Sequence, residues 1–153
     1  MSRVQLALNV DELDQSIAFY TKLFDTQPAK VRPGYANFAV TEPPLKLVLI
    51  ENPGHGGSVN HLGVEVEDTD TVDAERTRLA AAGLAFVDER GTCCYAKQDK
   101  FWVDATPNRE RWEIYTVLAD SSTFSATTVT GSTCCGADVN APEQPATTAA
   151  ACC

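Results

Sequence analysis

Apolar and polar residues alternate along the first third of the chain in patterns that predict a strand, a helix and further strands. Residues 4–10 alternate with a period of two, which is typical of a strand with one buried face. A helix is predicted next, because apolar residues then recur at helical spacing at Leu13, Ile17, Tyr20 and Phe24. Residues 35–40 and 45–50 are two further apolar runs, and a short strand near residues 28–31 precedes them. This order predicts a βαβββ module.

The same order of patterns recurs after a loop rich in glycine and proline. Residues 60–66 alternate again, and an acidic cap and a helix ending near Gly83 follow. Later apolar runs occupy residues 85–89, 92–96, 101–104 and 112–118. Aligning Gln5 with His61 keeps the hydrophobic phase of both halves. We therefore predict an α+β domain over residues 1–118, with module one at 1–51, a linker at 52–58 and module two at 59–118.

The composition changes at residue 119, where large apolar residues become rare and Thr, Ser, Ala, Gly and Pro dominate. Such a composition cannot bury enough apolar surface to fold, so we expect residues 119–153 to form a disordered tail. The tail carries two cysteine pairs, Cys134-Cys135 and Cys152-Cys153. Either these pairs capture metal or metalloid ions for delivery to the domain, or they have no binding role.

Charge and cysteine content exclude several classes of function. The net charge is -9, which repels phosphate backbones and anionic membranes, so neither nucleic acid nor membrane is an expected partner. The chain has no apolar run of signal-peptide or membrane-spanning type, and we expect a cytoplasmic protein. Its six cysteines lie in adjacent pairs, which differs from secreted disulfide frameworks and zinc ribbons. In a reducing compartment we expect all six to be thiols. The oligomeric state is left open.

Cys93 and Cys94 form the pair that lies inside the predicted domain. Adjacent α-carbons lie about 3.8 Å apart, below the roughly 4.4 to 6.8 Å usual for a disulfide, so the two thiols are poorly placed to bridge each other. They are better placed to bind one soft, thiophilic atom. Alternatively, one of them packs in the core as a small hydrophobe. Lys97 and Lys100 lie nearby; we expect solvated lysines, although they can also lower a thiol pKa or contact a charged substituent.

Three candidate metal ligands lie on separate predicted strands. Alternation places Gln5 and His61 on the face opposite the helices, and it places Glu113 and Tyr115 together on one face of the last strand. If these strands are neighbours, an amide oxygen, an imidazole and a carboxylate converge. Such a set resembles the facial triad of non-haem Fe(II) enzymes with one histidine replaced, and Mn(II), Ni(II), Co(II) or Zn(II) remain possible.

Each candidate ligand also has an ordinary structural interpretation. Gln5 can be a polar residue of an edge strand, and His61 can be a hydrogen-bonded core histidine. Glu113 can be an ion-pair partner of Arg109 or Arg111. The only other histidine lies in the glycine-rich loop, where we expect it to be exposed to solvent.

The tandem modules with ligand candidates on corresponding strands resemble the vicinal oxygen chelate superfamily, which includes glyoxalase I, fosfomycin-resistance enzymes and extradiol dioxygenases. Within it, the chain closely resembles the ArsI/CadI group. The resemblance covers residues 3–118 and is carried by residues 2–10, 30–38, 43–49 and 60–65 and by the loop with Cys93 and Cys94. It implies a cupped sheet around a metal site. The group includes a non-haem iron dioxygenase that cleaves the carbon–arsenic bond of trivalent organoarsenicals and a protein named for cadmium induction.

The resemblance implies a role for each candidate residue. Gln5, His61 and Glu113 would hold Fe(II), and Cys93 with Cys94 would bind trivalent arsenic as a dithiolate. Tyr95 and Tyr115 are assigned to the pocket by alternation alone. The implied reaction is O2-dependent cleavage of methylarsenite or aromatic arsenicals, which yields arsenite and detoxifies arsenic. Pentavalent arsenicals would need prior reduction, because they resist direct ligation by thiolates.

Other functions are weighed against this one. A protein that sequesters cadmium or arsenite without turnover is the alternative from another class, and the cysteine pairs favour it. A glyoxalase-type isomerase is disfavoured because residues 45–50 supply no carboxylate for a fourth metal ligand. A thiol transferase of the fosfomycin type has a similar ligand layout, but its chemistry does not require a cysteine pair beside the metal.

Overall fold

The described part of the chain forms a single nine-stranded sheet and two helices. This computed structural model describes residues 2–103 and 106–126. In chain order the elements are β1 (Arg3–Val10), α1 (Leu13–Phe24), β2 (Lys30–Arg32), β3 (Tyr35–Val40), β4 (Leu45–Glu51), β5 (Val59–Glu65), α2 (Thr69–Ala81), β6 (Phe86–Cys93), β7 (Ala96–Val103), β8 (Trp112–Asp120) and β9 (Ser125–Ala126).

The strand order confirms the two predicted modules. The sheet runs β2-β3-β4-β1-β5-β8-β7-β6-β9, so each module occupies one half. Within a module the first strand pairs in parallel with the last: β1 with β4, and β5 with β8. The modules join through the antiparallel pair β1–β5. The strands that carry Gln5, His61 and Glu113 are therefore neighbours in the middle of the sheet.

Each helix packs on its own half of the sheet, and no helix covers the opposite face in the described part of the chain. Helix α1 packs Leu13 against a cluster from β1, β3 and β4 that includes Phe38 and Leu49. Helix α2 begins at Asp68, whose side chain accepts a hydrogen bond from the Thr71 amide at 2.8 Å. It contributes two buried residues to the cluster Val66, Val72, Leu79, Phe101 and Ile114. This amphipathic arrangement leaves the other face of β1, β5 and β8 available for a site.

The structure differs from the predicted strands around the cysteine pair. The runs at 85–89 and 92–96 do not form two strands: β6 is continuous from Phe86 to Cys93, and β7 begins at Ala96. Cys94 and Tyr95 form the two-residue turn between them, with φ of 53° and 60°. Positive φ at both central residues is typical of a type I′ hairpin turn, which usually contains Asn or Gly. Because neither residue type is present, the sequence gives no turn signal here.

The disordered tail predicted for residues 119–153 begins too early, because β8 extends to Asp120 and β9 follows at Ser125–Ala126. Residues 127–153, which carry the four tail cysteines, lie outside the described residues. Within residues 2–103 and 106–126, no helix is both long enough and apolar enough to span a membrane. The cytoplasmic location stays a prediction.

Candidate metal and thiol site

Gln5, His61 and Glu113 meet on the helix-free face of the sheet, and all three side chains are buried. The amide Nε2 of Gln5 lies 3.0 Å from His61 Nε2 and donates to Glu113 Oε1 at 2.7 Å. His61 Nε2 lies 3.3 Å from the same carboxylate oxygen. The structure thus brings together the three residues that alternation placed on one face. Their role as metal ligands stays a prediction.

Gly63, which hydrophobic alternation does not single out, makes this convergence possible. In the sheet register Gly63 lies directly between Gln5 and Glu113. A Cβ atom at this position would lie 3.1 Å from Glu113 Cγ and 3.3 Å from Gln5 Cβ, which is tighter than ordinary contact. A glycine inside a strand often marks such a close approach, and this signal was available in the sequence.

A neighbouring asparagine sets the tautomer of His61. His61 Nδ1 lies 2.7 Å from Asn60 Oδ1, and the Asn60 amide donates to Asn9 Oδ1 at 2.9 Å. Asn60 Oδ1 can only accept, so His61 carries its proton on Nδ1. The lone pair of Nε2 therefore points toward Gln5 and Glu113. Histidines that bind metals commonly have their second ring nitrogen held in this way.

The Gln5 amide is held by Tyr115. The Tyr115 hydroxyl donates a hydrogen bond to Gln5 Oε1, while Gln5 Nε2 points toward His61 and Glu113. Ligation through oxygen requires a half-turn of the amide, after which the Tyr115 hydroxyl can accept from Nε2. Burial, with nearby Glu113 and Glu65, raises the pKa of Tyr115 well above its ordinary value. The hydroxyl thus keeps its proton and can serve either orientation.

A buried lysine keeps Glu113 ionised. Lys100 is 2% exposed, and its ammonium donates to Glu113 Oε2 at 2.9 Å. Burial by itself would raise the pKa of Glu113, but the charge of Lys100 holds that pKa well below the usual range. Lys100 also lies 3.6 Å from the buried Glu89. The expectation of a solvated lysine is therefore wrong for Lys100, because two carboxylates compensate its burial; Lys97 is exposed as expected.

The donor set fits a divalent first-row metal ion. It offers an imidazole nitrogen with a free lone pair, an ionised carboxylate and, after rotation, an amide oxygen. Among the described residues, no group of three or more His, Cys, Asp and Glu side chains is arranged to hold a metal, so the amide of Gln5 is needed as the third donor. Three protein donors leave coordination positions open for substrate.

The cysteine pair and the three candidate ligands line the same cavity. The cavity has a volume of about 170 Å³ and is bordered by Gln5, His61, Glu113, Cys93 and Cys94. Cys93 is buried at the end of β6, Cys94 is partly exposed in the turn, and their sulfur atoms lie 3.4 Å apart. Both sulfurs can thus contact one atom in this cavity.

Cys93 differs from the free thiol expected in a reducing compartment. It is disulfide-bonded in the structure. Cys94 is excluded as its partner, because 3.4 Å is far longer than the S–S bond of about 2.05 Å. A dithiol at residues 93 and 94 exists only after this bond has been reduced.

Tyr95 anchors the turn that carries Cys94. Its ring lies 5.7 Å from the ring of Tyr35 and 5.1 Å from that of Phe124. Its hydroxyl donates to the Pro33 carbonyl at 3.1 Å, and Lys30 Nζ donates to the Tyr95 carbonyl at 3.0 Å. Tyr95 and Tyr115 were both predicted to line the substrate pocket. Each contacts residues that line the cavity, but neither tyrosine is one of the described residues that border it.

The first module supplies an apolar residue at the position that corresponds to Glu113. Gln5 corresponds to His61 and Ala7 to Gly63 in the internal repeat, and β1 and β5 pair symmetrically about these positions. Glu113 pairs with Gly63, whereas the matching partner of Ala7 is Val48. Val48 is buried and borders the cavity. Residue 48 therefore offers no carboxylate as a fourth metal ligand, as the sequence of residues 45–50 indicates.

The model of the Glyoxalase/Bleomycin resistance protein/Dioxygenase superfamily matches residues 3–114. The cadmium-induced protein CadI of Mycobacterium tuberculosis is 64% identical over 127 residues, covering 82% of this chain and 83% of that protein. A trivalent organoarsenical cleaving enzyme of Thermomonospora curvata is 57% identical over 137 residues, covering 88% and 89%. A second enzyme of that name, from a Bacillus species, is 41% identical over 133 residues, covering 83% and 82%.

Solved structures share the fold at low sequence identity. The Mn(II)-bound glyoxalase of Novosphingobium aromaticivorans superposes with a TM-score of 0.53 at 19% identity, covering 84% of this chain and 44% of that chain. An extradiol ring-cleaving dioxygenase from B. fuscum gives a TM-score of 0.57 at 16% identity, covering 77% and 33%. These likenesses establish the vicinal oxygen chelate fold that the resemblance implied.

Proposed function

Because the chain belongs to the Glyoxalase/Bleomycin resistance protein/Dioxygenase superfamily, we propose that it is a metal-dependent enzyme that cleaves the carbon–arsenic bond of trivalent organoarsenicals. The observation that carries the proposal is the shared cavity, in which a vicinal cysteine pair faces an amide, an imidazole and a carboxylate. Relatives named trivalent organoarsenical cleaving enzymes, at 57% and 41% identity, support the same substrate class.

The cysteines and the ligand set divide the work. Thiolates bind As(III) strongly, and two Cys thiolates replace two oxygen substituents while the third bond of arsenic, to carbon, is retained. The organic group then lies in the cavity that Gln5, His61 and Glu113 also border. When held by these three residues, Fe(II) supplies the redox chemistry with O2 that bond cleavage requires.

The surrounding residues prepare this site. Lys100 keeps Glu113 ionised, Asn60 keeps the lone pair of His61 Nε2 available, and the Tyr115 hydroxyl holds the Gln5 amide. The contacts of Lys100 and Asn60 hold the carboxylate and the imidazole ready for the metal, which lowers the cost of reorganisation on binding. The Gln5 amide must rotate, and the Tyr115 hydroxyl can bond to it in either orientation. Reduction of the disulfide at Cys93 precedes arsenic binding, since a thiol bonded to another sulfur cannot ligate arsenic.

The direct test uses thiol-reduced protein reconstituted with Fe(II) under anaerobic conditions. Methylarsenite is then added with and without O2, and arsenic species are separated by chromatography with elemental detection. We expect arsenite only when iron and oxygen are both present. Methylarsenite that stays intact and protein-bound in the presence of O2 would contradict the proposal.

Two substitutions separate binding from cleavage. Glu113→Ala should abolish cleavage and leave thiol-mediated arsenic binding intact, whereas Cys93→Ser should weaken arsenic binding and leave metal binding intact. Glu42→Ala, which removes an exposed carboxylate outside the cavity, is the control and should change neither. Loss of both properties in Glu113→Ala, with the fold preserved, would refute this division of roles.

Sequestration without turnover is a second candidate. It is favoured by the 64% identity to a cadmium-induced protein and by three cysteine pairs in the sequence. In that case Cd(II) or arsenite would bind through thiolates with no need for O2. The reconstitution experiment decides between the two functions, because only the enzyme releases arsenite from methylarsenite.

A further inference from the structure

Gln98 is a buried polar residue beside the cysteine pair that neither the fold nor the proposed chemistry has so far explained. It lies in β7 opposite Gly91 of β6 and Val117 of β8. It is 7% exposed and borders the cavity together with Cys93 and Cys94. The residue thus brings a carboxamide into the region where a thiol-bound arsenic atom would lie.

One half of this carboxamide is satisfied and the other half is not. Its Nε2 donates to the Cys93 carbonyl oxygen at 3.3 Å, which fixes the orientation of the group. Its Oε1 is buried and has no hydrogen-bond partner among the described residues. Leaving a buried acceptor unpaired is unfavourable, and each such group in a native structure calls for an explanation such as a bound water, an ion or a functional role. A donor on the bound ligand would remove this cost.

We propose that Gln98 Oε1 accepts a hydrogen bond from a hydroxyl group on arsenic, so that it recognises hydroxylated As(III) species held by the cysteine pair. This inference rests on the proposed function, because it requires arsenic to bind between Cys93 and Cys94. It adds a contact to the bound arsenic species that is separate from the thiolates and from the three candidate metal ligands.

The chemistry of ligand exchange determines which species carry that hydroxyl. Each thiol replaces one hydroxyl: an As–S bond forms, an As–O bond breaks, and the thiol proton leaves with the hydroxyl as water. Arsenic remains trivalent throughout. Methylarsenite has two hydroxyls, so its complete dithiolate adduct retains none. Arsenite has three, so its dithiolate adduct retains one.

Gln98 therefore discriminates between product and substrate. It contacts the hydroxyl of bound arsenite, the product of the proposed reaction. It contacts methylarsenite only while a single thiolate is attached, when the second hydroxyl has not yet left. A neutral hydrogen bond of this kind corresponds to about a fivefold to tenfold change in affinity.

The test compares arsenite and methylarsenite binding to Fe(II)-loaded, thiol-reduced protein without O2, which prevents turnover. Equilibrium dialysis with elemental detection gives both dissociation constants for wild type and for Gln98→Leu. We expect Gln98→Leu to weaken arsenite binding about fivefold to tenfold and to change methylarsenite binding less than twofold. An equal change for both ligands would assign Gln98 a purely structural role through the Cys93 carbonyl, and no change for either would exclude the contact.

A second variant protects the test against misfolding. Gln98→Glu keeps acceptor oxygens but removes the donor to the Cys93 carbonyl, and any effect of its charge on the thiols acts on both ligands. The ratio of the two dissociation constants should stay within twofold of wild type. A ratio shifted as in Gln98→Leu would overturn the inference. Failure of the wild-type protein to bind either arsenical would instead overturn the proposed function.

Discussion

At the scale of single residues, the least ordinary feature is an ammonium group enclosed between two buried carboxylates. Lys100 contacts Glu113 and lies near Glu89, and its ammonium also lies 4.5 Å from the ring centre of Trp102. Trp102 in turn donates to Glu89 at 2.7 Å. Such a network is stable only while every charge has its partner, because a single buried charge is strongly unfavourable.

Lys100→Met should therefore lower the free energy of unfolding of the metal-free protein by about 3 to 5 kcal/mol at neutral pH. In wild type the pKa of Glu113 lies below its ordinary value of 4.5. The ionised group therefore stabilises the fold at pH values above 4.5, and this contribution is lost only in stronger acid. In the variant, Glu113 is buried without Lys100, and burial raises its pKa above 4.5. The variant should therefore be more stable at pH values below 4.5 and lose stability as the pH rises.

Urea unfolding between pH 4 and 8 measures this difference. Lys97→Met is the matched control, since it removes an exposed lysine from the same strand and should change stability by less than about 0.5 kcal/mol. A Lys100→Met variant whose loss of stability is the same at pH 4 and pH 8 would show that Glu113 does not carry the effect.

Gly63→Ala should weaken metal binding about tenfold while leaving the fold largely intact. The added methyl group would press on the side chains of Glu113 and Gln5. Alanine itself is tolerated in a strand, and Ala7 occupies the corresponding position of the first module. Anaerobic titration with Fe(II) or Co(II) measures the affinity, and thermal unfolding checks the fold. An unchanged metal affinity would mean that the two side chains do not act as ligands together.

The sequence predicts some of these residues because the period of a strand decides which face a side chain occupies. Gln5, His61 and Glu113 follow from that rule and from the repeat. Lys100 and Gln98 do not, because their burial depends on carboxylates and carbonyls supplied by neighbouring strands. A polar residue that is buried by cross-strand pairing has the same local pattern as a solvated one.

At the scale of secondary-structure elements, the hairpin of β6 and β7 controls the geometry of the cysteine pair. Cys94 and Tyr95 adopt left-handed backbone angles that cost non-glycine residues roughly 1 to 2 kcal/mol each. Strain of this kind persists only where the surroundings determine it. Here the surroundings are the rings of Tyr35 and Phe124 and the Lys30 ammonium that contacts the Tyr95 carbonyl.

Phe124→Ala should loosen this turn and weaken methylarsenite binding about twofold to tenfold, the value of one aromatic pair. Metal affinity should stay within twofold, because Gln5, His61 and Glu113 do not contact the turn through any described hydrogen bond. Phe19→Ala, at an exposed ring on α1, is the control. The interpretation fails if both variants bind methylarsenite as tightly as wild type, as measured by equilibrium dialysis.

At the scale of the whole molecule, the site depends on two copies of one module meeting edge to edge. The β1–β5 pair places Gln5 and His61 at symmetry-related positions, and the last strand of each module adds one further position, Glu113 or Val48. The repeat in the sequence predicted this arrangement. The shape of the cavity did not follow from the sequence, because it depends on how the β6–β7 turn packs against the first module.

The internal symmetry leads to a test of the open coordination position. Val48→Glu would place a carboxylate where the first module now has a buried valine, opposite Glu113 in the repeat. Without metal this carboxylate is unpaired, so the variant should be several kcal/mol less stable than Val48→Leu, its apolar control. With Co(II) or Mn(II) the fourth oxygen donor should bind the ion, raise metal affinity at least about tenfold and restore stability.

The same fourth ligand should occupy the position that substrate chemistry needs, so cleavage of methylarsenite should be lost while binding to Cys93 and Cys94 is retained. Co(II) absorption reports the change in coordination independently of activity. A folded Val48→Glu protein with wild-type metal affinity would show that residue 48 does not face the ion. The two modules would then be equivalent in their strand pairing but not in the side chains that surround the ion.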